Sequence, residues 1–239
     1  MRLQQRNKDN QEGFYRKEHT DFGLDSSGNL APGYQHHDGL WFPGSDEKYN
    51  IKPKKDVTEC VTFFTKCFKD FVANSIDAFG TKSSLDLGCG SGILSHLFKE
   101  KGVLTASVDA NRIAAKDSPY LDCNHFIART DERLDITDSE GNRVKFDLIT
   151  SFDHLEHIED KRVNVFMSNV KEHLSEDGVF VFIFHPFAYE GDQAHVHCNT
   201  GDRPYWIKKL EENGLVEIPA PFVIGRSGQS SHEIFAKLK

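Results

Sequence analysis

Residues 85–92 read LDLGCGSG and decide the fold. An apolar run typical of a β-strand ends at Leu87, and glycines follow at positions 88, 90 and 92. A helical pattern of apolar residues begins directly behind them, over residues 93–100. In such a strand, turn and helix unit, the N–H groups of the turn point at whatever lies above the sheet edge, and the missing side chains let a ligand approach closely. The stretch therefore predicts a ligand site at the carboxyl end of the first buried strand.

Short apolar runs alternate with helical patterns from residue 83 onward, which is typical of a parallel sheet covered by helices. An amphipathic helix precedes them, with a capping-box start at Asp56 and Glu59. The last two strands have no helical pattern between them, which indicates an antiparallel pair. The predicted fold is α/β, a Rossmann-like, doubly wound sheet of seven strands, mostly parallel with an antiparallel last strand. Strands are predicted at 84–87, 104–109, 125–128, 146–151, 179–184, 215–218 and 233–238, and further helices at 93–100, 111–116, 160–174 and 204–213.

Residues 1–55 differ from the rest of the chain because no period of 2 or 3.6 persists in them. Gly, Asn, Asp and His are mixed there with aromatic residues, which are too numerous for a solvated tail. We therefore predict a loop-rich, aromatic N-terminal appendage over 1–55 that packs on a single domain over 56–239 and could form a lid over it.

The composition and net charge of the chain limit the classes of function it can have. At 239 residues with 38% hydrophobic content, the chain can bury one full core. A net charge of −8 argues against a surface that binds nucleic acid and favours a small-molecule substrate. Five scattered cysteines form no CxxC pair, so neither a disulfide framework nor a structural zinc site is indicated. The N-terminus is polar and no apolar run is long enough to span a membrane, so we expect a cytoplasmic protein with no membrane partner. We further expect a monomer or homodimer.

Acidic residues accompany the glycine turn. Asp86 precedes the first glycine, and Asp109 ends the next predicted strand, where a carboxylate can accept both hydroxyls of a ribose. The glycines read GxGxG and not the GxGxxG of dinucleotide-binding proteins. The strand, the DxGxGxG stretch and the strand-terminal Asp together resemble class I S-adenosylmethionine-dependent methyltransferases, over residues 60–239.

This resemblance implies S-adenosylmethionine as the cofactor of a class I methyltransferase domain. Residues 146–151 resemble the family's fourth strand, whose carboxyl end lines the cleft beside the methionine part of the cofactor. An acidic residue after the third strand is expected to bind the adenine amino group, and Asp131 and Asp135 both qualify. The implied cofactor-binding residues are Asp86, Gly88, Cys89, Gly90, Asp109, Ala110, Asp131 or Asp135, Ser151 and Phe152.

Methyl transfer to a hydroxyl acceptor needs a base near the carboxyl ends of the fourth and fifth strands. Histidine suits this role because its ordinary pKa is about 6.5. We predict His185, His195 and His157 as the catalytic candidates, and His157 could equally be a buried packing residue. His154 is expected to be solvated.

The D-x-x-E-H spacing of Asp153, Glu156 and His157 raises the question of a metal. With His195 or His197 as a further ligand, these oxygen and imidazole groups suit Mg²⁺ or Mn²⁺. The spacing resembles the E-x-x-E-H of metal-dependent methyltransferases that act on small-RNA ends and on quinone catechols. An Asp in place of the first Glu shortens the reach, and many members of the resembled family without a metal carry a similar run. The favoured interpretation is therefore that Glu156 and His157 support the cleft structurally, without a metal.

The predicted function is methyl transfer from S-adenosylmethionine to an oxygen or nitrogen of a small polar metabolite. Residues 201–215 suggest a sugar-like acceptor, because they resemble a segment of saccharide-tailoring methyltransferases. Three alternatives stay open. They are a metal-assisted 2′-O-methyltransferase of RNA ends, a nicotinamide-dependent oxidoreductase, and a module that binds the cofactor without catalysis.

Overall fold

A sheet of seven strands forms the centre of the computed structural model. The structure describes residues 1–6, 34–37, 40–43, 55–90, 92–110, 120, 124–186, 197–224 and 232–239, of which 34–37, 40–43 and 55–65 are described by their backbone. The helices are α1 (Lys55–Phe79), α2 (Ile93–Glu100), α3 (Asp160–His173) and α4 (Arg203–Glu212), and a 3₁₀ turn spans Leu155–His157. The strands are β1 (Gln4–Gln5), β2 (Tyr34–His37), β3 (Leu40–Pro43), β4 (Ser83–Leu87), β5 (Leu104–Asp109), β6 (His125–Ile127), β7 (Ile136–Thr137), β8 (Phe146–Phe152), β9 (Leu174–Ile183), β10 (Leu215–Ile218) and β11 (Glu233–Leu238).

The order of the strands in the sheet determines where the predicted ligand site lies. In the seven-stranded sheet the order is β10, β11, β9, β8, β4, β5, β6. Strand β4 is parallel to β5 on one side and to β8 on the other, whereas β11 is antiparallel to both β9 and β10. The predicted sheet, mostly parallel with an antiparallel last strand, is therefore confirmed. Because the chain order reverses at β4, the carboxyl ends of β4, β5 and β8 surround the kind of switch point at which open α/β sheets bind ligands.

Both faces of the sheet are apolar, as expected for a mostly parallel sheet between two helix layers. In β9, Phe180 and Phe182 belong to one buried cluster, while Val181 and Ile183 belong to another. Helices α3 and α4 cover the first cluster, and α1 and α2 cover the second. The loops at the carboxyl edge of the sheet therefore start from strands that are fixed on both sides.

Helix α1 packs on the sheet through one face. Its Phe68, Phe71 and Val72 are buried, while Lys66 and Asp70 are exposed and form an ion pair at 2.6 Å. None of the helices in the described ranges combines the length and the apolar character needed to cross a membrane.

The first residues of the chain pair with the domain. Strand β1 forms an antiparallel ladder with β7, and the N–H of the buried Leu3 donates to Asn124 Oδ1 at 2.9 Å. Strands β2 and β3 form an antiparallel hairpin within the stretch predicted to be rich in loops. Lys55, the last residue of the predicted appendage, already begins α1, and residues 7–33, 38–39 and 44–54 lie outside the described part of the chain, as does the predicted helix at 111–116. The boundary at residue 55 and the lid stay predictions.

Strand β9 begins earlier than the sequence pattern predicts. A helix to residue 174 and a strand from 179 were expected, whereas Leu174 already pairs with Phe146. The register shifts between Phe146 and Leu148, so the polar residues after Leu174 form an irregular stretch of the ladder. A Cβ on Gly178 would lie 2.9 Å from the Phe146 carbonyl oxygen, which explains the glycine at this point. Apolar periodicity does not signal such a stretch.

Candidate active site

The glycine turn lies where β4, β5 and β8 end side by side. Gly88, Gly90 and Gly92 have φ angles of 79°, 53° and 79°, in the left-handed region that other residues rarely adopt. The N–H groups of Gly88 and Cys89 both donate to the Val108 carbonyl oxygen, at 2.8 and 3.2 Å. These bonds hold the turn against the end of β5.

Asp109 lies at the turn, as its predicted role with a ribose requires. It is the last residue of β5, Ala110 follows it, and its Oδ2 accepts the Gly90 N–H at 2.7 Å. A carboxylate that accepts a backbone N–H forms a charge-assisted bond, which is stronger than a bond between neutral groups. The bond therefore sets the position of the carboxylate relative to the turn.

Asp86 and Ser151 lie at the seam between β4 and β8. Asp86 is 6% exposed, and its Oδ1 accepts the Thr150 hydroxyl at 2.8 Å. The Ser151 hydroxyl donates to a carbonyl of β4 at 2.9 Å. Phe152 points to the opposite face, where its ring packs 5.1 Å from that of Phe71. The ring of Phe152 belongs to the core, and its predicted contact with the cofactor stays a prediction.

Cys89 lies within the glycine turn, between Gly88 and Gly90. Its Sγ lies 3.7 Å from His125 Nδ1, and Ser107 Oγ lies 3.1 Å from the same nitrogen. Burial, followed by the charges of Asp109 and Asp86, raises the pKa of the Cys89 thiol well above its ordinary value. Cys89 is therefore protonated at neutral pH and does not act as a nucleophile. The sequence interpretation missed His125, which no motif marks.

The prediction that His154 is solvated is wrong. In place of a solvated side chain, the structure shows a ring that lies against Gly88, with Nε2 2.6 Å from Thr130 Oγ1. Burial lowers the pKa of His154 to about 4, so the ring is neutral at pH 7. No spacing in the sequence signals this contact, because it joins loops that follow strands distant along the chain.

The two acids predicted for the adenine side have different surroundings. Asp131 is buried, forms an ion pair with Arg129 at 2.5 Å, and lies close enough for its charge to act on His154. Asp135 pairs with Arg143 at 3.1 Å, and its backbone carbonyl accepts the Arg6 N–H beside the β1–β7 ladder. Asp131 therefore follows Thr130, whose hydroxyl contacts His154 beside the glycine turn, whereas Asp135 belongs to the side where the N-terminus packs.

Five side chains form an acid–histidine cluster at the carboxyl ends of β8 and β9: Asp153, Glu156, His157, His185 and His197. His185 Nε2 lies 3.0 Å from Asp153 Oδ1, and His197 Nε2 lies 4.0 Å from Glu156 Oε1. Asp153, Glu156 and His185 form one group, and Glu156, His157 and His197 form another, with the ligand atoms in each group within 4.8 Å of one another. Glu156, which both groups share, is 1% exposed. Each group offers the carboxylate oxygens and imidazole nitrogens that bind divalent metals.

Local backbone geometry brings this cluster together. Asp153 directly follows β8 with a left-handed φ of 50°, and the 3₁₀ turn begins two residues later. The Asn199 N–H donates to the Glu156 carbonyl oxygen at 3.0 Å, which holds the segment of His197 against that turn. His185 follows β9, which pairs in parallel with β8. His195 lies outside the described residues, and the pairing of His185 with Asp153 is visible only in the structure.

Comparison with known proteins shows the family. A family model for a methyltransferase domain matches residues 61–216. A ubiquinone biosynthesis O-methyltransferase of Haemophilus ducreyi is 29% identical over 118 residues, which cover 46% of this chain and 48% of the relative. That of Pasteurella multocida is 25% identical over 122 residues, or 47% of this chain and 50% of the relative. The chain thus spans about half the length of the curated relatives it matches.

Solved structures agree on the fold. An S-adenosylmethionine-dependent methyltransferase from Clostridium acetobutylicum superposes with a TM-score of 0.54 at 18% identity, covering 72% of this chain and 91% of that one. A 1,6-didemethyltoxoflavin-N1-methyltransferase from Burkholderia thailandensis, with 1,6-didemethyltoxoflavin and S-adenosylhomocysteine bound, gives 0.53 at 16% identity over 87% of this chain and 100% of that one. The chain belongs to the methyltransferase domain family, and its fold is that of class I S-adenosylmethionine-dependent methyltransferases.

The pKa of His154 provides a pH test of this geometry. We expect an NMR titration of the imidazole groups to show His154 neutral down to about pH 5, since burial holds its pKa near 4. The folded-state pKa lies below the unfolded value, so the stability that the neutral ring contributes is lost as the pH falls from about 6.5 through about 4. His154→Gln should therefore lose less unfolding free energy than the wild type between about pH 7 and pH 4.5, measured by urea denaturation. Titration of His154 at its ordinary pKa would show that the ring is solvated after all.

Proposed function

We propose that this chain transfers a methyl group from S-adenosylmethionine to an oxygen or nitrogen of a small polar metabolite. The observation that carries the proposal is the left-handed glycine turn whose Gly90 N–H is bonded to Asp109, at the switch point of a methyltransferase fold. The cofactor supplies a methyl group on a positively charged sulfur, from which it is displaced in line.

The residues around the turn fit the parts of this cofactor. Asp109 would accept the ribose hydroxyls, and the buried Asp86 would meet the amino group of the methionine part directly or through water. Gly90 leaves room for close approach, because nothing lies within 4 Å of a Cβ built there. Of the two adenine-side candidates, the connection of Asp131 to the turn supports Asp131. The contacts of Cys89, Ala110, Ser151 and Phe152 belong to the proposal as predicted.

His185 is the proposed general base for a hydroxyl acceptor. Its Nε2 lies 3.0 Å from Asp153 Oδ1, and such a carboxylate orients an imidazole and stabilises the imidazolium that forms when the ring takes a proton. The other ring nitrogen of His185 would then take the acceptor proton. His157, whose ring centroid lies 5.0 Å from that of His197, is the alternative base within the same cluster, and His195 stays a prediction.

The acceptor is proposed to be small and polar, and the curated relatives, named as O-methyltransferases, support an oxygen acceptor. The proposal of a sugar-like molecule rests on the resemblance of residues 201–215. In the structure Trp206 and Leu210 of that segment are buried, so part of it serves the core. A cytoplasmic location and a monomer or homodimer complete the proposal.

Metal-assisted transfer to an oxygen is the second candidate, and the acid–histidine cluster is the observation that favours it. The cluster contains two overlapping groups of three ligand atoms, and the atoms in each group lie within 4.8 Å of one another. The D-x-x-E-H spacing alone indicated only one such group. A bound cation would polarise an acceptor oxygen and lower the pKa of its proton. His185 would then be a ligand of the metal, so the two candidates assign different roles to the same residue. The net charge of −8 disfavours an RNA end as the acceptor.

Titration with S-adenosylhomocysteine tests the proposal. We expect micromolar binding by calorimetry, and a loss of roughly tenfold or more in Asp109→Asn, because a charge-assisted bond contributes about 1.5–3 kcal/mol. Asp70→Asn is the matched control, since Asp70 is exposed on α1 and should leave the affinity unchanged. Equal affinity of the wild type and Asp109→Asn would contradict the assigned ribose site. The absence of binding in both would contradict the function.

Metal titration separates the two candidates. Protein treated with EDTA and titrated with Co²⁺ should develop visible absorption of the bound ion if the cluster binds metal. Glu156→Gln and His185→Ala should both lose that absorption, because each removes a ligand. His96→Ala is the control, as His96 lies on α2 beside Glu100 and outside the cluster. Methyl transfer that persists in EDTA, with no absorption on titration, would leave His185 as the base.

A further inference from the structure

Two glycines of the turn differ in what faces them. A Cβ built on Gly88 would lie 2.5 Å from Nδ1 and 2.7 Å from Cβ of His154, well inside contact distance. Nothing lies within 4 Å of a Cβ built on Gly90, although its φ is also left-handed. The space left by Gly88 is therefore filled by the protein itself, and the space left by Gly90 is open to a ligand.

The other end of the His154 ring is held by the loop after β6. Its Nε2 lies 2.6 Å from the hydroxyl of Thr130, which is buried in the loop after β6. That loop is fixed in turn by the buried Asn169 of α3, whose side-chain amide donates to the carbonyl of Thr130 at 2.9 Å. Phe166 of α3 packs 6.1 Å from the His154 ring. His154 thus spans the distance between the glycine turn and a loop anchored to a helix.

We infer that His154 is a positioning residue of the cofactor cleft: its ring fills the space that Gly88 leaves and ties the glycine turn to the loop after β6 through Thr130. The inference rests on the proposed function, because that loop also contains Asp131, the acid proposed for the adenine side. With the ring in place, the turn and the loop keep a fixed separation. The two ends of a bound nucleoside then meet groups that are already in position, which lowers the entropic cost of binding.

A further observation agrees with this role. The residue follows Asp153, so the loop after β8, which carries Asp153, Glu156 and His157 of the acid–histidine cluster, starts beside the glycine turn. His154 therefore links the cofactor side of the cleft with the proposed acceptor side.

A double-mutant cycle without cofactor tests the contact. Gly88→Ala and Gly90→Ala both introduce a side chain at a left-handed φ, but only Gly88→Ala meets the His154 ring. We expect Gly88→Ala to lower the melting temperature by several degrees more than Gly90→Ala. In a His154→Ala background the difference between the two glycine substitutions should shrink, because the ring atoms are gone, whereas the His154 Cβ, 2.7 Å from the added Cβ, and the backbone strain remain. A cycle in which Gly88→Ala and His154→Ala are additive would overturn the contact and the inference with it.

Affinity for S-adenosylhomocysteine distinguishes positioning from mere packing. At a temperature where every variant is folded, His154→Ala should weaken binding about tenfold. His154→Gln should recover most of the loss, because a carboxamide can keep the bond to Thr130, and Thr130→Val should reproduce the defect of His154→Ala. Unchanged affinity in His154→Ala would show a purely structural residue and would also overturn the inference. If the wild type itself does not bind, the proposed function fails and the positioning role fails with it, while the cycle still reports whether the contact exists.

Discussion

The hydrogen bond from the Gly90 N–H to the Asp109 carboxylate joins the two features on which the site depends. It forms because β4 and β5 run parallel in a register that pairs Leu87 with Val108, so the turn after one strand meets the last residue of the other. The left-handed φ of Gly90 then aims its N–H at that carboxylate. A bare turn and an acidic strand end thus become one surface, and the strand order places this surface at the switch point of the sheet.

The fold was largely predictable because its signals are local. Apolar runs in the sequence predict all seven strands of the main sheet, and α2 has the predicted bounds of 93–100. The departures occur where pairing is short or irregular. The ladder of β1 with β7 involves two residues of each strand, and the early start of β9 depends on an irregular register with β8. Neither depends on periodicity, so no window of sequence could show them.

The site was predictable by residue type and less so by contact. Asp86 and Asp109 were predicted at the turn because Asp86 lies two residues before Gly88 and Asp109 ends the neighbouring strand. His154 was misjudged, since its contact with Gly88 depends on how the loop after β8 folds back over β4. The partnership of His185 with Asp153 likewise arises from the parallel pairing of β9 with β8. Sequence spacing therefore identifies candidate site residues, whereas the topology of the sheet determines which of their side chains are in contact.

The location of the cofactor cleft is tested most directly by NMR of the backbone amides during titration with S-adenosylhomocysteine. We expect the largest changes in chemical shift on Gly90, Asp109 and His154, at the carboxyl edge of the sheet. The amide of Val165, an exposed residue of α3, should not change. Saturable changes centred elsewhere, for example around Arg203 at the start of α4, with none at the glycine turn, would show that the cofactor does not bind at this turn.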